Sequence, residues 1–469
     1  KWLVLTLLKL VWRHIQSSTK IFLENIYGRF IRPFFFIAGK IYCLTTYLKI
    51  MKLNILYLSS LLLFPVGLFA NEIDSGDTGW ILTSTALVLF MTLPGLALFY
   101  AGLVRSKNIL SVLMQCFTLA CVVSVIWVVA GYSLAFKGSN PLIGNLDYFL
   151  LANLTRDSLS GSIPESVFII FQMTFAIITP ALVVGAFAER MRFTAMVIFS
   201  SIWLLLVYIP ACHLIWGGGY LGELGVIDFA GGLVVHATCG IAALVCAIVL
   251  GQRREFNTQS IIPHNRSMVV MGAAMLWVGW FGFNAGSALS ASTDAGMAIL
   301  VTHISAAMGA LAWMGIEWFK QGKPTVVGIA TGMVAGLASI TPAAGTVGPQ
   351  GALLIGLMGG TICYLATQYI KSVLKIDDSL DVFPVHGVGG ILGILMLSFL
   401  SAESVLGAGA SGLNASSAMN QFYIQLQGVV LIVVWTLVFT WIALKITSFF
   451  TALRVTEEDE VQGLDLTQH

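Results

Sequence analysis

From about Gly79 onward the chain reads as long apolar runs broken by short polar ones. Eleven such runs occupy approximately residues 79–103, 109–136, 166–188, 193–215, 229–250, 268–290, 295–319, 325–342, 347–370, 382–402 and 424–452. Each is close to the ~20 residues that cross a bilayer as a helix. An all-α polytopic membrane protein with eleven transmembrane helices is therefore predicted. The polar interruptions are unequal. Those after runs 1, 3, 5, 7 and 9 hold Arg105 and Lys107; Arg190 and Arg192; Arg253, Arg254 and Arg266; Lys320 and Lys323; Lys371 and Lys375, whereas the other set has only Lys137 and Arg156. Basic residues concentrate on the cytoplasmic side, so the odd loops and the C-terminal tail are expected inside and the start of the first run outside.

Composition agrees. With 58% hydrophobic and 10% charged residues, the 469-residue chain has too little polar surface to coat a soluble globule. A net charge of +2 implies neither a nucleic acid nor an acidic partner. The seven cysteines fall mostly within apolar runs, without C-x-x-C spacing, and read as small packing residues. Residues 1–50 begin with Lys1, contain no methionine and mix Arg13, His14, Lys20, Arg29 and Arg32 with aromatics. Met51 then opens a standard export signal, with Lys52 as its positive end, Leu56 to Phe69 as its apolar stretch and Ala70 as its cleavage position. The expected organisation is thus upstream translated sequence over 1–50, a signal peptide over 51–70, an eleven-helix domain over 71–452 and a cytoplasmic tail over 453–469.

Within the apolar runs two segments stand in register. Asp228-FAGGLVV-His236 and Asp378-SLDVFPV-His386 lie 150 residues apart, each with an acid seven intervening residues before a histidine. Ionisable groups at membrane depth are rare and mark ion or proton pathways. Run 5 enters from outside and run 10 from inside. Eight residues of helix rise about 12 Å, so in a core about 30 Å thick both imidazoles approach the midplane from opposite faces. That is the pattern of two inverted five-helix repeats, runs 1–5 and 6–10, with run 11 outside them. Phe99-Tyr-Ala-Gly102 at the inner end of run 1 and Phe283-Asn-Ala-Gly286 at the outer end of run 6 repeat the correspondence. Asp228 and Asp378 are expected to cap their helices.

At the outer surface, Trp216-GGG follows run 4 and Trp280-FGFNAGS ends run 6 at Ser287, gathering aromatic rings and a hydroxyl. A ring face attracts a cation, and a serine oxygen accepts a hydrogen bond from a protonated amine. Such a vestibule, with Trp280 as support, suits a small cation carrying N–H donors.

The chain at this point resembles the Amt/Mep/Rh family of ammonium transporters, in its Amt branch. The resemblance rests on Pro94-GLALFYAGLVRSKN, Phe175-AIITPALVVGAFAERMRF, Trp216-GGG, Asp228-FAGGLVVH, Gly279-WFGFNAGS, Thr341-PAAGTVGPQGAL and Asp381-VFPVHGVGG, and runs to about Asp465. Ala101 stands where the family often has a second glycine in FYGG. The resemblance implies an outer ammonium-recruitment site of Trp216, Phe175 and Ser287 supported by Asp228, a gate of Phe175 and Phe283, and a twin-histidine pair of His236 and His386. It further implies a homotrimer in the plasma membrane, ammonium and methylammonium as substrates, and a tail (Leu453-RVTEEDEVQGLDLTQH) like that through which a PII-type signal protein regulates transport.

Chemistry explains why a pore needs these parts. Ammonium and potassium are nearly equal in size, but only ammonium can shed a proton and cross a dry apolar pore as a neutral molecule. Imidazole titrates near neutrality and can relay that proton. The expectation is recruitment of NH4+, deprotonation, conduction of NH3, and reprotonation inside, with the proton left behind or relayed separately. An ammonium sensor signalling through the tail is the alternative. A membrane metalloenzyme is disfavoured, since no H-E-x-x-H and no third ligand accompany the histidines, and neither a cofactor nor a metal is expected. Trp216-GGG and the Trp280 motif also disfavour an Rh-type gas channel. His213 and His303 lack matching partners and read as structural.

Overall fold

The computed structural model describes Lys49 and residues 73–256, 262–401 and 415–469. Apart from Lys49, the expected upstream segment and signal peptide lie outside the described residues. Among the described residues, eleven helices are long and apolar enough to cross a membrane: α1 Ser75–Leu103, α2 Ser106–Phe136, α3 Glu165–Phe187, α4 Phe193–Leu224, α5 Gly232–Leu250, α6 Arg266–Gly286, α7 Thr293–Gln321, α8 Val326–Ala343, α9 Pro349–Val373, α10 Phe383–Leu400 and α11 Ser417–Phe450. A two-residue hairpin, Leu159–Ser160 with Ile163–Pro164, sits in the α2–α3 connection. After α11 the chain forms a short helix, Glu457–Gln462.

Where the bounds differ from the apolar runs, a local cause is visible. Helix α4 continues past Trp216 because Gly217–Gly219, with Gly218 at φ +82°, makes a tight break from which a last turn, Tyr220–Leu224, restarts. Helix α6 stops at Gly286, short of 290, and Leu289 takes a left-handed φ of 54°. Helix α11 starts before 424 because its glutamines are used inside the protein. Gln421 donates to Gly225 O at 2.9 Å, so apolarity alone misses that turn.

Helices α3 and α5 are enclosed by the others, whereas α2 and α11 expose most of their surface. Successive crossings alternate in direction, so α5 and α10 run oppositely, as inverted repeats require. Both begin with a π-helical turn, Gly232–Ala237 and Phe383–Gly387, and each turn carries its histidine. Such turns are rare and concentrate at functional sites. Glycine allows the two helices to meet there. A Cβ on Gly240 would overlap the backbone of Gly387, and one on Gly390 would meet Gly232 O at 2.6 Å and His236 Cβ at 2.7 Å.

Candidate functional site

Between the two ends of the bundle, the rings of Trp216, Phe175, Phe283, His236 and His386 form one row. On the face opposite the basic loops, a cavity of about 330 Å³ is lined by Trp216, Phe175, Ser287, Gln172, Phe168 and Phe229, among others. Below it the rings follow one another: Trp216 to Phe175 at 5.9 Å, Phe175 to Phe283 at 4.3 Å, Phe283 to His236 at 6.0 Å and His236 to His386 at 5.2 Å between centroids. The space around the histidines, lined by Leu96, Ile178, Leu182, Leu276, Trp280 and Val334, amounts to about 10 Å³, no more than a water-sized gap. Beyond His386 a second cavity of about 430 Å³ opens among the basic loops, with Tyr100, Lys371 and Asp381 in its wall.

Each end of the row has its own chemistry. Ser287 Oγ donates to Phe283 O at 2.9 Å, so its lone pairs remain to accept from a ligand. Trp216 is held by its indole N–H on Asp228 O at 2.7 Å. The Asp228 carboxylate does not line the cavity. It accepts from the backbone N–H of Gly231, Gly232, Leu233 and Val234 at 2.6–3.0 Å, closing the start of α5. Burial pushes its carboxyl up, and those four donors oppose the shift.

Two residues fall differently from expectation. Trp280 is absent from the wall of the 330 Å³ cavity and stacks on His236, centroids 5.4 Å apart, because it lies about two helical turns deeper in α6 than Ser287. Gln172 is a residue that sequence reasoning missed. Its carbonyl oxygen is buried without a protein partner in that wall, one turn before Phe175 on the same face of α3. The spacing alone could have drawn attention to it.

The hydrogen bonds assign the histidine tautomers. Trp280 Nε1–H donates to Thr341 Oγ at 2.8 Å, and that hydroxyl donates to Leu337 O at 2.8 Å. The remaining capacity of Thr341 Oγ is as acceptor, from His236 Nε2–H at 3.3 Å. His236 Nδ1 is then a lone pair that accepts from His386 Nδ1–H at 3.3 Å, and His386 Nε2 is the free base of the pair. The other two histidines stand apart. His213 bridges Ala135 O and Asn140 O at 2.9 and 2.6 Å, and His303 stacks on Trp277.

Around the second cavity the basic loops are sewn together. Arg253 donates to Glu189 at 2.7 Å and to both Asp377 oxygens at 2.8 and 2.9 Å, while Arg105 reaches Glu189 at 2.9 Å. Burial alone would raise the Glu189 carboxyl, but Arg253 and Arg105 outweigh it and hold it below its ordinary range. The tail joins this layer: Val455 N donates to Arg190 O, and Asp465 accepts from Ser111 N at 2.7 Å at the start of α2.

Asp378 behaves oppositely. It accepts from Phe383 N at 2.7 Å, as the expected cap of α10, but its other oxygen has no partner. Burial first, and Asp381 second, push its carboxyl up to about 6. A folded-state value above the unfolded one gives a stabilising contribution that is complete below about 3.9 and is lost as pH rises through about 6. Asp378→Asn is therefore expected to flatten the fall in melting temperature between pH 4 and 7, measured by thermal unfolding in detergent; an unchanged slope would refute the assignment.

Comparison with known proteins places this geometry. A family model described as Ammonium Transporter Family matches residues 79–469. An ammonium transporter of Bacillus subtilis is 45% identical over 396 residues, covering 84% of this chain and 97% of its own. Ammonium transporter Amt1 of Archaeoglobus fulgidus is 42% identical over 399 residues, covering 84% and 98%. Among solved structures, a sensor Amt protein superposes with a TM-score of 0.78 at 30% identity, covering 84% of this chain and 98% of that one. Saccharomyces cerevisiae Mep2 superposes with a TM-score of 0.75 at 37% identity, covering 82% and 91%.

Proposed function

The chain belongs to the ammonium transporter family, and from that premise we propose that it recruits NH4+ in the outer cavity, removes a proton there and passes NH3 between Phe175 and Phe283 and along His236 and His386. The observation that carries this reading is the unbroken ring row between two cavities, narrowed to a water-sized gap at the histidines. A hydrated ion does not fit such a gap, and a bare one loses its hydration without compensation. Trp216 offers a ring face, Ser287 and Gln172 offer acceptor oxygens, and Asp228 keeps Trp216 in place through its carbonyl. NH3 emerging beside His386 is reprotonated in the inner cavity.

A separately relayed proton fits the same pair. Starting with both tautomers reversed, a proton taken up at His236 Nε2, passed from His236 Nδ1 to His386 Nδ1 and released from His386 Nε2 would leave the arrangement described above, and both rings would have to reset before the next proton. The charge asymmetry of the loops supports a plasma-membrane protein with the outer cavity facing outside and the tail inside. We further propose that it works as a homotrimer, that residues 1–50 are upstream sequence and 51–70 a signal peptide, and that residues 453–469 receive a PII-type regulator. The docking of that tail on the basic loops is the observation behind the last point. Similarity to a sensor Amt protein supports a second reading, in which occupancy of the pore is signalled through the tail. Uptake into proteoliposomes by the chain alone separates the two.

The recruitment site has its own test. A cation over a ring gains about 0.5–2 kcal/mol, so Trp216→Leu is expected to raise the half-saturating methylammonium concentration by about twofold to thirtyfold. Ser287→Ala should raise it too, through loss of an acceptor. Uptake curves that superpose on the wild type would remove both residues from recruitment.

A further inference from the structure

The sequence offers no third metal ligand beside the two histidines, but the fold supplies one. Cys239 lies three residues after His236, on the same face of α5. One donor atom from each of His236, Cys239 and His386 falls within 4.8 Å of the other two, and all three residues are buried. We propose that these residues form a site for a monovalent soft metal ion, Cu(I) or Ag(I), and that filling it plugs the pore.

Geometry and charge both favour this. The two Nδ1 atoms are 3.3 Å apart, and at metal–nitrogen distances of about 2.0 Å that separation subtends about 110° at the metal. The thiol now leans on His236 O at 3.4 Å, with its sulfur within 4.8 Å of a donor nitrogen of each imidazole. His236 Nδ1 already presents a lone pair to its partner. His386 exposes its own by moving a proton from Nδ1 to Nε2 through the water of the inner cavity, so the metal takes the place of the shared hydrogen. The thiol releases one proton to solvent as the metal–sulfur bond forms. A singly charged ion with one thiolate and two neutral imidazoles is electrically neutral overall, whereas Zn(II) would leave a net positive charge in an apolar passage. Thiolate with imidazole is also a donor set suited to Cu(I). Access is through the cavity of about 430 Å³ that His386 lines.

The test is anaerobic titration of the purified full chain with Cu(I) against a chromogenic chelator, followed by copper X-ray absorption. The wild type is expected to bind one equivalent more than either Cys239→Ser or His386→Ala, with mixed sulfur and nitrogen coordination. The other described cysteines, Cys116, Cys121, Cys212, Cys246 and Cys363, belong to no such cluster among the described residues, so copper on them would show sulfur without imidazole. Equal stoichiometry in wild type and Cys239→Ser, or sulfur-only coordination in the wild type, would overturn the site. Plugging rests on the transport reading and is read separately, as methylammonium uptake with each protein compared with its own copper-free rate. A tenfold or greater loss is expected for the wild type, and Cys239→Ser should resist. Full copper occupancy with undiminished wild-type uptake would leave the binding site standing and overturn this passage as the transport route.

Discussion

Replacing His236 and His386 together by alanine is expected to lower methylammonium uptake into proteoliposomes by about a hundredfold or more, the low end of what positioned acid–base groups contribute to proton transfer. Among the described residues lining the gap between the two cavities, the pair supplies the only imidazoles. Its tautomers are set by the chain Trp280 to Thr341 to His236 to His386. His236→Ala alone leaves His386 with its proton on Nδ1 and no acceptor beside it, while His386→Ala alone removes the free base, so each single variant should lose most of the effect. Small losses in all three variants, with the protein still folded and of wild-type size by gel filtration, would separate the histidines from the transport step.

Arg253→Ala is expected to cost about 3–5 kcal/mol, the penalty for breaking a buried ion pair by removing one partner. Arg253 is buried and joins Glu189 to Asp377, both fully buried acids from different connections. Without it Glu189 retains Arg105, but Asp377 keeps only the more distant Arg190, 3.9 Å away. Both acids are held below their ordinary range, so their stabilisation is present above the unfolded values of about 4 and is lost as pH falls through the lower folded values. The wild type should therefore lose stability steeply in that acid range, and Arg253→Ala should lose less there. Thermal unfolding in detergent across pH measures both. A melting temperature within the error of the wild type would mean that the cluster holds nothing together.

The eleven helices were legible because a membrane span must be a long apolar run with its backbone bonded internally. The histidines were legible for the opposite reason: polar groups in those runs are few, and two in register are conspicuous. What escaped depended on contacts between distant segments. Arg105, Arg190 and Arg253 read as markers of one membrane face, and nothing along the chain paired them with Glu189 or Asp377. Trp280 read as part of the outer cavity because its motif ends there, although helical rise carries its ring down to His236. Gln172 and Thr341 are ordinary polar residues within apolar sequence, and Cys239 read as packing. Each gained meaning only from what α3, α5, α8 and α10 bring beside it.

The central claim is that selection rests on ammonium giving up a proton where potassium cannot. Current across proteoliposomes on a solid support, recorded on potassium pulses for the wild type and for the His236→Ala/His386→Ala variant, tests it most directly. The account predicts no potassium current in the wild type and, in the variant, the loss of methylammonium uptake by about a hundredfold without a gain in potassium current. A potassium current in the wild type, or a variant that still excludes potassium while moving methylammonium at the wild-type rate, would contradict it.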